Sequence, residues 1–175
     1  GKDVIGQSQT GSGKTAAFGF PSLEKITHGH GLQLLILVPT RELCNQVARE
    51  MVKFCKYKPM KIVEVYGGVS INPQIDWLRY ADVVVGTPGR MLDHLQRRTI
   101  NLSKVKILIL DEADKMFEMW FIDDVKRIVS FTPKERQTLL FSATIPSEVL
   151  DLVHNYMRDP MKVKMQTYID KQHLV

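Results

Sequence analysis

At 175 residues, 44% of them apolar and 25% charged, the chain has the length of one compact domain and a composition at the globular average, which excludes disorder for most of it. Its net charge of +5 tilts toward a polyanionic partner. No apolar run approaches the roughly 20 residues that a membrane-crossing helix needs, and the opening Gly1-Lys2-Asp3 is not a signal peptide, so the expectation is a soluble intracellular protein, cytoplasmic or nuclear, with no membrane partner.

In chain order, short runs rich in Val, Ile and Leu alternate with helical patterns. The runs are Val4 to Gly6, Leu34 to Val38, Ile62 to Tyr66, Val83 to Val85, Val105 to Leu110 and Thr138 to Phe141. They are continuously apolar instead of alternating, as strands buried on both faces of a parallel sheet are. Helices are predicted over Thr15 to Ile26, Arg41 to Cys55, Pro73 to Tyr80, Met91 to Arg97, Phe121 to Phe131 and Ser147 to Tyr156. Pro21 removes a backbone donor and is expected to kink or end the first of them. The alternation argues an α/β domain, a mostly parallel sheet flanked by helices on both faces. Cys44 and Cys55 share one predicted helix at a separation of roughly 16 Å, too far for a disulfide, and are expected to be free thiols. His28-Gly29-His30-Gly31 reads as a loop tip and not as a metal site.

Two segments carry chemistry. Ser8-Gln9-Thr10-Gly11-Ser12-Gly13-Lys14-Thr15 stands between the first strand and the first helix, where glycines let backbone N–H groups converge on phosphates and the helix dipole favours them. Lys14 would reach the terminal phosphates and Thr15 would ligate Mg²⁺, while Ser8 stands where the usual phosphate loop begins with Gly. The run Val105 to Leu110 leads directly into Asp111-Glu112-Ala113-Asp114, and carboxylates at the carboxyl end of a buried strand sit where open α/β sheets bind ligands. Asp111 is placed to hold Mg²⁺, mostly through water, and Glu112 to orient or deprotonate an attacking water.

With these residues the chain resembles the first RecA-like domain of a DEAD-box ATP-dependent RNA helicase. Asp111 to Asp114 spells the family's name, and Pro39-Thr40-Arg41-Glu42-Leu43, Gly67-Gly68, Thr87-Pro88-Gly89-Arg90 and Ser142-Ala143-Thr144 are similar to its other first-domain motifs in the family's order. The resemblance implies a P-loop domain over residues 1–165, followed over 166–175 by the start of a connection to a second RecA-like domain. It implies ATP and Mg²⁺ as cofactors, local unwinding of RNA duplexes, and a protein that is often monomeric.

The resemblance also assigns roles. RNA, single-stranded or duplex, would be held mostly by its sugar-phosphate backbone at Pro39, Thr40, Arg41, Glu42, Gly67, Gly68, Thr87, Pro88, Gly89 and Arg90. Thr40 and Thr87 each follow a strand and open a helix, so as N-caps they would leave anion-binding helix ends at the sheet's edge. Taken singly, each turn reads as an ordinary cap or tight turn. Ser142 and Thr144 would hydrogen-bond Asp114 and couple the ATP state to RNA, provided that the strand ending at Ser142 lies between those ending at Ser8 and Asp111; a strand-ending turn is the other reading. Two further functions stay open: a nucleotide-regulated RNA clamp without processive unwinding, and an ATPase acting on a protein partner.

Against the family's wording, the adenine-reading aromatic and glutamine upstream of the phosphate loop have no counterpart, nor does the second domain with its arginines. The expectation is therefore half a catalytic cleft, nearly inactive alone. Trp120 in Met119-Trp120-Phe121 stands where Gly is usual, so either a positive φ is strained there or the ring packs on a neighbour. Cys44 replaces a common Ala at little cost.

Overall fold

Every predicted strand forms, and the parallel sheet that they build is the frame for everything else. The computed structural model describes residues 1–7 and 14–165. Strands β1 (Val4–Gln7), β2 (Leu34–Leu37), β3 (Ile62–Val65), β4 (Val83–Gly86), β5 (Ile107–Leu110) and β6 (Gln137–Ser142) match the six apolar runs, and an unforeseen β7 (Met161–Lys164) joins them. The order is β3-β4-β2-β5-β6-β1-β7, and every pairing is parallel. The central β2, β4 and β5 are buried at every residue, which is why their sequences show no polar alternation. All four residues of the edge strand β7 are exposed, and its Met-Lys-Val-Lys sequence carries no core signal.

Helices α1 (Lys14–Glu24) and α2 (Arg41–Phe54) pack on one face of the sheet, where Phe18, Leu23, Val47 and Met51 meet Leu34, Ile36, Val85 and Ile109. Helices α3 (Asn72–Leu78), α4 (Pro88–Arg97), α5 (Ala113–Glu118), α6 (Ile122–Ser130) and α7 (Ser147–Tyr156) cover the other, where Met91, Met116, Ile128 and Leu152 meet Leu35, Leu37, Leu108 and Leu140. Cys44 and Cys55 are free thiols as expected, and Cys44 is buried with its Sγ donating to the Val85 carbonyl at 3.1 Å. That burial pushes its pKa up to about 12, so it serves as a small core residue and not as a nucleophile.

Two local expectations are revised. Pro21 does not end α1, which runs on to Glu24. Pro21 and Ala17, whose carbonyl loses its helical partner, both lie on the exposed face, where water can replace the missing bond. The predicted start of α4 at Met91 is also late: the helix begins at Pro88, a residue preorganised for the first helical turn.

Trp120 closes α5 in the conformation that glycine usually supplies. Its φ is 65°, its N–H donates to the Phe117 carbonyl at 3.1 Å, and the Phe121 N–H reaches back to the Met116 carbonyl at 2.8 Å. The ring is 91% exposed, so the strain is not offset by packing. Trp120→Gly is expected to stabilise the chain by about 1 kcal/mol in urea denaturation; an unchanged or lower midpoint would show that the exposed ring holds the turn.

Candidate functional site

The carboxyl edge of the sheet gathers the predicted residues because each lies just beyond the end of a parallel strand. Lys14 and Thr15 begin the helix that comes after β1 in the chain, Asp111 and Glu112 leave β5, and β6 runs between those two strands to end at Ser142, as the coupling reading required. Ser8, Gln9, Thr10, Gly11, Ser12 and Gly13 lie outside the described residues; Lys14 and Thr15 begin α1. A cleft of about 370 Å³ brings Lys14, Thr15, Asp111 and Glu112 together with Thr40 and Glu42.

Asp111 is only 1% exposed, and Lys14 Nζ lies 2.6 Å from its Oδ1. Although the charges are paired by distance, neither Asp111 oxygen finds a partner in hydrogen-bonding geometry among the described residues. Burial, the largest influence, raises its pKa, and Lys14 opposes that rise. A carboxylate so placed calls for further cationic or hydrated-cation contact, and with the Thr15 hydroxyl in the same cleft the donor set is all oxygen, which fits Mg²⁺. Glu112 is buried beside it with Lys115 Nζ at 3.5 Å, and burial raises its carboxyl pKa above the ordinary range while Lys115 pulls it back. Its φ of 52° and ψ of 52° are left-handed, an uncommon state for a glutamate and one that costs about 1–2 kcal/mol.

Asp114 connects this edge to β6. The Thr144 N–H and Oγ1 both donate to its Oδ2 at 3.2 Å, and its own N–H donates to Ser142 Oγ at 3.0 Å. Ser142 Oγ in turn donates to the Thr144 carbonyl. The two hydroxyls thus meet Asp114 in different ways: Thr144 holds the carboxylate and Ser142 holds the backbone.

The other three turns follow β2, β4 and β3. Thr40 caps α2, with its Oγ1 accepting from the Leu43 N–H at 3.2 Å, whereas Thr87 occupies the N-cap of α4 without a side-chain bond. Pro39 and Pro88 are buried and offer the surface only the shape of their turns. Gly67, Gly68 and Gly89 are exposed, and a Cβ at any of them would meet no neighbour. Of these three only Gly68, at φ 80°, needs glycine for its backbone; nothing inside the fold demands it at Gly67 or Gly89.

Both arginines of these turns have internal partners that sequence reasoning did not find. The Arg41 guanidinium lies 4.6 Å over the Tyr66 ring. Arg90 donates to the Val69 carbonyl at 2.8 Å and to Gln74 Oε1 at 3.2 Å, and Gln74 Nε2 donates to the Tyr66 carbonyl at 2.9 Å. Buried His94 completes the set, its Nε2 3.0 Å from Gln74 Oε1 and its Nδ1 2.7 Å from Thr99 Oγ1. A neutral ring protonated at Nε2 donates to the amide and accepts from the hydroxyl. A polar Gln and His facing inward from amphipathic helices were the available signal, but both look like solvated positions in one sequence. His28 Nδ1 lies 2.6 Å from Oδ2 of buried Asp82.

The DEAD/DEAH box helicase family model matches residues 1–152. The chain is 47% identical over 168 residues to the DEAD-box ATP-dependent RNA helicase CshA of Bacillus cereus, covering 95% of this chain and 32% of that one. It is 47% identical over 174 residues to a probable ATP-dependent RNA helicase of Methanocaldococcus jannaschii, covering 98% of this chain and 47% of the relative. Among solved structures, a DEAD box protein from the hyperthermophile Methanococcus jannaschii superposes with a TM-score of 0.91 at 48% identity, over 95% of this chain and 46% of that one. A hypothetical ATP-dependent RNA helicase from Sulfolobus tokodaii gives 0.86 at 45% identity, over 94% and 48%. The chain therefore spans less than half the length of each of these proteins.

Burial, followed by the nearby Arg90 charge, lowers the His94 pKa from 6.5 to about 4. The unfolded chain then takes up the proton first on acidification, so this histidine contributes stability that is complete above pH 6.5 and is lost as pH falls toward 4. The thermal midpoint is expected to drop between pH 6.5 and about 5, and His94→Gln to flatten that slope. An unchanged slope in the variant would remove His94 as its source.

Proposed function

The chain belongs to the DEAD/DEAH box helicase family, and from that membership we propose that residues 1–165 are the ATP-binding domain of an ATP-dependent RNA helicase, acting with a second RecA-like domain of the same protein. Among the described residues no helix is long and apolar enough to cross a membrane. The observation that carries the reading is the junction of Lys14, Asp111 and Glu112 with Asp114, Ser142 and Thr144 on neighbouring strand ends.

The sequence Ser8 to Gly13 would supply the phosphate loop for ATP, and Lys14 would turn from Asp111 toward the negative charge of its phosphates. Thr15 and Asp111 would hold Mg²⁺, Asp111 mostly through water; its chemistry there is neutralisation of charge on the phosphates. Glu112 orients the attacking water and accepts its proton. A carboxyl raised by burial is a better base near neutral pH than an ordinary glutamate. Asp114 senses this chemistry through its neighbour Glu112 and passes it to β6 through Thr144 and Ser142.

On the RNA side, the turns at Pro39 to Glu42, Gly67–Gly68 and Thr87 to Arg90 receive successive phosphates of one strand. Their glycines allow close approach, and the N-termini of α2 and α4 favour negative charge. Arg90 acts first as a strut between the turns and Arg41 as a cation held by Tyr66. Contacts to sugar and phosphate make the grip independent of sequence along these turns.

In the full-length protein, Glu112→Gln is expected to lower RNA-stimulated ATP hydrolysis by at least about 10²-fold while ATP binding persists. Stimulation that survives the substitution would sink the assigned mechanism. Replacing Ser142 and Thr144 together with Ala is expected to spare ATP hydrolysis but abolish strand separation in a duplex-release assay. If that pair of substitutions left unwinding intact, the coupling role would be wrong; if the unsubstituted protein held RNA under ATP and separated no strands, the clamp reading would replace the helicase.

A further inference from the structure

A groove of about 450 Å³ lies where the end of α5 meets α6 and α7. Phe117, Trp120 and Ile122 give it an apolar wall, and Asp123, Glu148 and Asp151 give it an acidic rim. It shares no residue with the nucleotide cleft or with the three turns assigned to RNA, so neither function accounts for it.

Its ring and its charges both lack partners inside the chain. Trp120 is 91% exposed at a φ of 65°, so the fold bears backbone strain at this position to hold a large ring in water. Glycine would close α5 without that cost, and Met119 beside it in the chain is exposed as well. The rim is acidic on a chain whose net charge is +5. Lys126 is the one basic residue lining the groove, and Asp151 already holds its Nζ at 3.0 Å. Asp123 and Glu148 have no cation within ion-pairing distance among the described residues; Glu148 Oε2 accepts only from the Ser147 hydroxyl, at 3.1 Å. An exposed aromatic ring beside two unpaired carboxylates suits a cation on an aliphatic stem. Arginine fits better than lysine, because its planar guanidinium stacks on a ring and offers paired N–H donors to a carboxylate.

We infer that this groove docks an arginine-bearing segment of a protein partner, with one guanidinium stacked on Trp120 and its counter-charges at Asp123 and Glu148. The aliphatic stem of that arginine lies over Phe117 and Ile122, which are half-buried in the wall. The same rim repels a polyanion, so the occupant is a basic protein segment and not a second stretch of nucleic acid. A groove of this size takes only a short segment, so the contact is that of a transient partner.

The test uses the full-length protein, freed of RNA, and a dye-labelled peptide of about twelve residues in which roughly four arginines alternate with Gly, Ser and Leu. Dye anisotropy is read at about 0.1 M salt, for this peptide and for its lysine counterpart. The expected result is saturable binding of the arginine peptide, about fivefold tighter than that of the lysine peptide. Trp120→Gly, which relieves strain and so keeps the fold, should weaken it about tenfold, and Trp120→Phe should keep most of the affinity. Asp123→Asn together with Glu148→Gln should weaken it by a similar factor and flatten its salt dependence. Affinity unchanged in Trp120→Gly or in the paired carboxylate variant would put the peptide elsewhere on the protein and overturn the proposal. Equal affinities for the two peptides would overturn the stacked guanidinium. Absence of binding would also overturn the proposal, and self-association that Trp120→Gly abolishes would then make a second copy the occupant.

Discussion

A carboxylate held almost out of water at the end of a central strand is the constraint on which the cleft depends. Asp111 follows β5, whose residues are all buried, so its charge sits at the rim of the core with one lysine beside it. An isolated ion there would be neutralised by protonation before it was tolerated. Lys14, the first residue of α1, opposes that protonation without cancelling the rise that burial causes. The same pair therefore compensates a buried charge at the rim of the cleft. Removing one partner leaves a buried charge without compensation, so neither residue is replaceable for stability alone.

The two halves of the carboxyl edge use their charges differently. On the Asp111 side, both oxygens of a buried carboxylate lack hydrogen-bond partners among the described residues. On the other side, Arg90, Gln74, His94 and Thr99 satisfy one another, and the network reaches the Tyr66 and Val69 carbonyls that flank the glycine pair. A satisfied network fixes one arrangement, while an unsatisfied carboxylate invites a ligand. The turns after β3 and β4 are thus tied to each other through side chains of α3 and α4.

The fold was legible because burial on both faces gives parallel strands an unmistakable sequence, and the motif residues were legible because each follows such a strand. What escaped detection lacked that contrast. Strand β7 is exposed throughout and pairs only with β1, so its pattern is that of a surface segment. Gln74 and His94 lie among polar neighbours on their helices, and nothing local marks them as inward-facing. Pro21 does not end α1, because a helix on the surface can lend an unpaired carbonyl to water. Arg90 was legible as a cation at a strand-ending turn but not as a strut, since its partners come from a segment distant in sequence.

Helix α5 shows how strain serves the site. Left-handed residues stand at both ends, Glu112 before it and Trp120 after it, so this helix of six residues can extend in neither direction without abandoning one of those conformations. Asp114 lies in its first turn, and the distance across to Thr144 depends on where the helix begins. Relaxing Glu112 into a helical conformation would add a turn residue at that end and rotate Asp114 away from β6. The strain at Glu112 therefore maintains the register between Asp114 and the hydroxyls of Ser142 and Thr144. Trp120 carries a comparable strain at the far end without touching either, which is why relief there is expected to change stability and leave the junction intact.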